Sequence, residues 1–95
     1  ILVPFDDIIK CQVEGVYCTF HLNNGKTIAV PSEMKEFEEI LITNNFFKVH
    51  ESTIVNIKHA KKCIEGVESR LIMSDGSIVY VAVSNKDELM KVLRP

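Results

Sequence analysis

The chain has 95 residues, of which 46% are hydrophobic and 25% are charged, a composition typical of one folded domain and unlike that of a disordered chain. Its formal net charge is −2, whereas dedicated nucleic-acid-binding domains are usually basic. No apolar run is long enough for a membrane-spanning helix, so we expect no membrane partner. The sequence starts at Ile1 without a Met or a signal pattern, and we interpret residues 1–95 as a single domain cut from a longer protein.

Strand signals dominate the N-terminal part of the chain. The strands predicted there are residues 7–13, 16–22 and 26–30. The first ends at Glu14-Gly15, and the second alternates between apolar and polar side chains, which places Val16 on the apolar face. The Asn-Asn-Gly sequence at 23–25 tolerates the positive φ of a tight turn, so the second and third strands are expected to form a hairpin.

The hydrophobic period changes after Pro31. Apolar side chains recur at helical spacing at Met34, Phe37, Ile40 and Leu41. Ser32 can cap a helix, and the glutamates that follow favour its positive N-terminus. We therefore predict one short helix at about residues 33–42, ended by Asn44-Asn45.

The C-terminal half returns to strand signals. The strands predicted there are residues 46–50, 53–57, 61–65, 67–74 and 77–83. Asp75-Gly76 is a second strong turn signal, and Ser84 with Asp87 three residues later can open a short C-terminal helix at about residues 86–93. The fold is thus predicted to be mainly β, with antiparallel strands and little helix.

The sequence contains no recognisable catalytic, metal or cofactor pattern. Its three cysteines are odd in number and lack a C-x-x-C pair, and its four glycines fit neither nucleotide-binding glycine motif. His21, His50 and His59 have no patterned nucleophile or carboxylate partner. We predict that the protein is not an enzyme, binds no cofactor or metal, and keeps its cysteines as buried thiols in a reducing cytoplasm.

Acidic and basic residues are concentrated in different segments of the chain. Residues 31–43 carry four glutamates against Lys35, whereas residues 44–62 carry four lysines against Glu51. The second segment also holds the apolar strand pattern, so cations stand at both ends of a β-rich stretch with one carboxylate between them. This arrangement is typical of a scaffold with a polar rim.

The stretch FFKVHESTIVNIKHAKK, residues 46–62, resembles the most characteristic motif of the LytTR family of bacterial DNA-binding domains, roughly F-x-R-V-H-R-S-Y-I-V-N. The matching residues are Phe47, Val49, His50, Ser52, Ile54, Val55 and Asn56. The resemblance extends over nearly the whole chain. Residues 6–28 are similar to the family's opening strands, 33–41 to its helix and 71–93 to its closing hairpin and tail.

The resemblance implies an elongated stack of antiparallel β-sheets that reads double-stranded DNA with loops entering the major groove. It also implies an output module attached to an upstream receiver or sensory domain, as in a response regulator of a two-component system. Homodimerisation is left open.

The resemblance further implies a set of DNA-contacting residues. The candidates are Tyr17, Lys48, Glu51, Ser52, Lys58, Asn85 and Lys86. Glu51 and Asn85 depart from the family, which usually has Arg at both positions. Arg reads guanine bidentately, whereas Glu can only accept, for instance from cytosine, and Asn can read adenine.

Each candidate also has a simpler interpretation. Lys48 can be solvated instead of bound to phosphate, Lys58 can lie in a solvated loop, and Tyr17 can be an exposed strand aromatic. We expect His50 to be a packed, hydrogen-bonded structural residue and Asn56 to bond local backbone at a strand end.

Two functions therefore stay open on sequence grounds. The first is sequence-specific DNA binding as the output module of a bacterial transcription regulator. The second is a LytTR-like protein–protein or dimerisation module with reduced or lost DNA binding. Glu51, Asn85 and the acidic balance favour the second more than a typical family sequence would.

Overall fold

The computed structural model describes residues 3–93, which fold into two antiparallel β-sheets and two short helices. The strands are β1 Ile8–Glu14, β2 Tyr17–Leu22, β3 Thr27–Val30, β4 Phe46–His50, β5 Thr53–Asn56, β6 Ala60–Ile64, β7 Ser69–Met73 and β8 Ile78–Val81. The helices are α1 Lys35–Thr43 and α2 Lys86–Leu93, and single 3-10 turns occupy Phe5–Asp7, Ile57–His59 and Val83–Asn85. Neither helix in this part of the chain has the length and apolar character needed to cross a membrane.

The strands form one five-stranded sheet in the order β3-β2-β1-β5-β4 and one three-stranded sheet in the order β6-β7-β8. Every strand pair in both sheets is antiparallel. The domain measures 36 × 23 × 22 Å along its principal axes, so it is elongated. The predicted fold, an elongated stack of antiparallel sheets with little helix, is confirmed.

Two hydrophobic cores lie on opposite faces of the large sheet. Helix α1 covers one face, where Leu41 packs with Cys11 and Ile54. The small sheet and α2 cover the other face, where Leu89 packs with Val55. Because successive side chains of a strand point to opposite faces, the neighbours Ile54 and Val55 belong to different cores, and both are fully buried. Strand β5 is therefore anchored from both sides.

The second helix spans the predicted residues 86–93, whereas α1 begins at Lys35 instead of residue 33. Ser32 does not cap α1, and the prediction that it can was wrong. The Ser32 carbonyl instead accepts a hydrogen bond from the Cys18 thiol at 2.9 Å, and the Ser32 N–H donates to Val30 at 2.8 Å. These bonds hold Ser32 in a turn against the sheet. The helix ends as predicted, with Asn45 in the left-handed region at φ 69°.

The structure also corrects the face assigned to Val16. The sequence pattern placed Val16 on the apolar face of the second strand, but β2 begins at Tyr17 and the Val16 side chain is 79% exposed. Gly15, at φ +64°, turns the chain there, which carries Val16 into the β1–β2 turn. Cys11 and Cys18 are buried as expected, while Cys63 is only half-buried.

Candidate nucleic-acid interface

Two turns of the large sheet lie side by side at the same end of the molecule. Strands β1 and β5 are hydrogen-bonded neighbours, and their ladder reaches this end with Gln12 opposite Thr53. The Val13 N–H then donates to the Ser52 carbonyl at 2.9 Å, which ties the β1–β2 turn to the β4–β5 turn. We call the surface formed by residues 14–17, 50–52 and 83–86 the turn edge.

The β1–β2 turn presents apolar and aromatic surface to solvent. Val16 projects from its tip, and the Tyr17 side chain is 46% exposed. Tyr17 also lines an open cleft of about 390 Å³ between this turn and the segment that leads from Pro31 into α1. The sequence identified Tyr17 as a candidate but missed Val16, although the preceding Gly15 was a signal that the strand had not yet begun.

His50 fixes the β4–β5 turn through three hydrogen bonds. Its Nδ1 accepts the Ser52 N–H at 3.1 Å, and the Ser52 hydroxyl oxygen lies 2.9 Å from the same nitrogen. Because Nδ1 is an acceptor, Nε2 carries the proton of the neutral ring and donates to the Thr53 hydroxyl at 3.1 Å. The interpretation of His50 as a hydrogen-bonded structural residue is confirmed.

The same turn leaves Glu51 as its outward-facing side chain. The Ser52 hydroxyl is directed at His50, whereas Glu51 is exposed. Within residues 3–93, the Glu51 carboxylate has no hydrogen-bond or ion-pair partner. A carboxylate held on a rigid turn without an internal partner is available to an external donor.

Asn85 fastens the third segment of the turn edge to the large sheet. Its Nδ2 donates to the carbonyl oxygens of Lys48 at 3.2 Å and Val49 at 3.1 Å. The Ala82 N–H adds a bond to the Val49 carbonyl at 2.9 Å. These contacts place Asn85 beside the end of β4, but they also occupy the amide nitrogen that a bidentate contact with adenine would use. DNA contact by Asn85 stays a prediction.

The candidate lysines are paired with glutamates or aspartate. Lys48 extends from the α1 face of the large sheet, and its Nζ lies 2.8 Å from Glu38 of the helix. Lys86 lies 3.5 Å from Glu65 at the end of β6. Both pairs are partly exposed, so each contributes little to stability, about 0–1 kcal/mol for a surface salt bridge.

Lys58 lies at the other end of the large sheet. It follows β5, whereas Glu51 precedes that strand, and its Nζ is 2.8 Å from Asp6 beside the start of β1. Of the seven candidate residues, the structure brings five to the turn edge: Tyr17, Glu51, Ser52, Asn85 and Lys86. Lys48 faces α1, and Lys58 is remote from the edge.

Asn56 has a larger structural role than the local one predicted. Its Oδ1 accepts the Lys58 N–H at 3.0 Å, which confirms the local bond to the backbone. Its Nδ2 also donates to the carbonyls of Phe5 at 3.1 Å and Ile8 at 2.9 Å. The motif residue Asn56 therefore joins the end of β5 to the start of β1, far from the turn edge.

Within residues 3–93 there is no group of three or more His, Cys, Asp or Glu side chains placed to hold a metal ion. The features that the described residues do present at the turn edge are two turns and a 3-10 segment on a β scaffold. They define a class of mainly β domain in which turns and a 3-10 segment are gathered at one end of a sheet.

The comparisons with known proteins agree with this class. The model of the LytTr DNA-binding domain family matches residues 1–94, and the chain belongs to this family. The LytTr DNA-binding domain of a Bacillus cereus protein designated a methyl-accepting/DNA response regulator superposes with a TM-score of 0.85. It is 26% identical in sequence, and the match covers 100% of this chain and 88% of the other. No protein with a curated description matches the sequence.

Proposed function

We propose that this domain binds double-stranded DNA through the turn edge and serves as the output module of a bacterial transcription regulator. The observation that carries the proposal is the hydrogen bond from Val13 to Ser52, because it brings the β1–β2 and β4–β5 turns to one sheet end in a chain of this family. An upstream receiver or sensory domain and a cytoplasmic location belong to the same proposal.

The turns reach base edges in the major groove, while Lys86 beside them meets a phosphate. Lys86 is paired with Glu65 in the free domain, and it exchanges that carboxylate for a phosphate on binding. The exchange costs little free energy, because an exposed ion pair stabilises a protein by only about 0.2–1 kcal/mol. The rigid β4–β5 turn supplies the fixed geometry that base recognition needs.

A second function is favoured by the acidity of this edge. Glu14 lies at the end of β1, Glu33 lines the Tyr17 cleft, and Glu51 projects from the β4–β5 turn. Lys86 beside them is already paired with a glutamate. A surface of this charge fits a basic protein partner, so a protein-interaction module with reduced DNA binding is the alternative.

The test is selection of duplexes from a random DNA pool, followed by fluorescence anisotropy at one fixed salt concentration. We expect an enriched motif. We expect Tyr17→Ala and Lys86→Gln each to weaken binding by about tenfold, as for the loss of one good contact. Lys26→Gln, in the β2–β3 turn at the opposite end of the sheet, is the matched control and should leave binding unchanged.

Absence of any enriched duplex would overturn the DNA-binding proposal and favour the protein-interaction module. Equal weakening by Lys26→Gln and Lys86→Gln would show that the domain binds DNA through its overall charge and not through the turn edge. Sedimentation velocity with and without the selected duplex reports whether one copy or two bind.

A further inference from the structure

The outward-facing carboxylate of Glu51 is chemically unusual for a DNA-contacting edge. Phosphate repels a carboxylate, so a turn that carries Glu51 into a groove loses affinity unless the carboxylate meets a hydrogen-bond donor. Among residues 3–93 no side chain or backbone group supplies that donor. The domain therefore leaves the position open for a donor on the ligand.

Hydrogen bonds within the turn keep Glu51 in this position. His50 engages both the N–H and the hydroxyl of Ser52, and the Ser52 carbonyl accepts from Val13. The backbone that carries Glu51 is thus held in place on both sides of that residue. A side chain presented on a preorganised backbone loses less entropy on binding and discriminates more sharply between ligands.

Only two bases present a donor in the major groove. Cytosine offers its N4 amino group, and adenine offers its N6 amino group next to the N7 acceptor. The lone pair of N7 repels a carboxylate that approaches N6, whereas cytosine places no acceptor beside N4. The chemistry of the groove therefore favours cytosine over adenine as the partner of a carboxylate.

We propose that Glu51 is the specificity-determining residue of the β4–β5 turn and accepts a hydrogen bond from N4 of one cytosine in the major groove. This inference rests on the proposed DNA-binding function and adds to it the base that one named side chain reads. It also explains how an acidic residue can be accommodated at a DNA-contacting surface.

The first experiment repeats the duplex selection with the wild type, Glu51→Gln and Glu51→Arg. We expect the three motifs to differ at one position: cytosine for the wild type, adenine for Glu51→Gln and guanine for Glu51→Arg. Replacing that cytosine by thymine should weaken wild-type binding by about tenfold, within the range for one base contact.

The second experiment modifies the DNA instead of the protein. N4-methylcytosine keeps its Watson–Crick hydrogen bond but replaces the N4 hydrogen that faces the major groove. Placed at the selected position, it should weaken the wild type by about tenfold and leave Glu51→Ala unaffected, because the variant has no acceptor to lose.

The two levels of the proposal fail in different ways. If the variants bind DNA with the same preferred base at every position, Glu51 does not read a base, and the DNA-binding function stands. If N4-methylcytosine weakens the wild type and Glu51→Ala equally, the modified base acts through DNA shape, and the inference is again overturned. If selection with the wild type enriches no duplex, the proposed DNA-binding function itself is overturned.

Discussion

Asn56 and Ile8 are 48 positions apart in the chain, and the Asn56 side chain donates to the Ile8 carbonyl at 2.9 Å in the interior. The same side chain is only 3% exposed and satisfies three backbone groups in all. The hydrogen bonds of this one amide join β5 to β1 at the end of the large sheet opposite the turn edge.

Asn56→Ala is therefore expected to destabilise the domain by about 2–3 kcal/mol, because it removes three hydrogen bonds to the backbone, one of them to the carbonyl of the buried Ile8. Urea denaturation followed by circular dichroism measures the loss. Asn24→Ala is the matched control. Asn24 also accepts the N–H two residues later, at 2.9 Å, but it is exposed in a turn and makes no long-range bond. An equal loss in both variants would show that only the local bond matters.

His50→Ala is expected to destabilise the domain by about 1–3 kcal/mol, because it removes the hydrogen-bond partner of the hydroxyl of Thr53, a residue that is only 1% exposed. Glu51→Ala, in the same turn, should change stability by no more than about 0.5 kcal/mol, as is usual for an exposed side chain. The same denaturation measurement compares them. If His50→Ala folds as stably as the wild type, the ring does not hold the turn.

The salt dependence of DNA binding should identify which lysines meet phosphate. Each neutralised phosphate contributes a slope of about −0.9 to log K against log salt, so Lys86→Gln should make the slope shallower by about 0.9. Lys58→Gln should leave it unchanged, because Lys58 lies beside Asp6 at the opposite end of the sheet. Anisotropy titrations over a range of salt concentrations measure both slopes. A shallower slope for Lys58→Gln would show that the DNA-contacting surface also includes the end of the sheet where Lys58 lies.

The buried thiols should resist alkylation in the folded domain. Cys11 and Cys18 are at most 1% exposed, and burial raises the pKa of both thiols. Because the thiolate is the reactive species, iodoacetamide at pH 8 should leave both unmodified until the protein is unfolded in urea. Peptide mass spectrometry gives the site of modification. Labelling of Cys11 at its unfolded rate would contradict the packing of this core.

Stability should also fall at alkaline pH through Cys11. Burial, assisted by the nearby Cys18, raises the pKa of the Cys11 thiol from 9.0 to about 12. A raised pKa in the folded state means that the stabilising contribution is present below the unfolded pKa and is lost as pH rises from about 9 towards 12. Urea midpoints of the wild type should fall more steeply over this interval than those of Cys11→Ala. Parallel curves would exclude the linkage.

Sequence reasoning was most accurate where a local pattern decides the structure. The C-terminal helix and strand β4 have their predicted bounds, because hydrophobic period and turn residues act over a few neighbours. The start of α1 was misplaced because the Ser32 carbonyl is engaged by the thiol of Cys18, 14 residues earlier. Such a contact has no signature in either segment.

The candidate site shows the same division. The structural role of His50 could be predicted because it depends on residues within one turn, whereas contact of Glu51 with DNA stays a prediction. The family motif pointed to both lysines as well. It could not show that Lys48 pairs with Glu38 on another element or that Lys58 lies at the remote end. Those facts follow from how the strands are ordered in the sheet, which local spacing does not determine.

All four residues of β5 are buried, and its two central residues, Ile54 and Val55, belong to different cores. The β4–β5 turn leads directly into this strand. A change in the length or orientation of the turn would therefore disturb packing on both sides of the sheet. The exposed side chain at its tip carries no such constraint. Divergence of binding preference among domains built this way should therefore proceed by exchange of single residues at the tip, while loop insertions accumulate elsewhere on the surface.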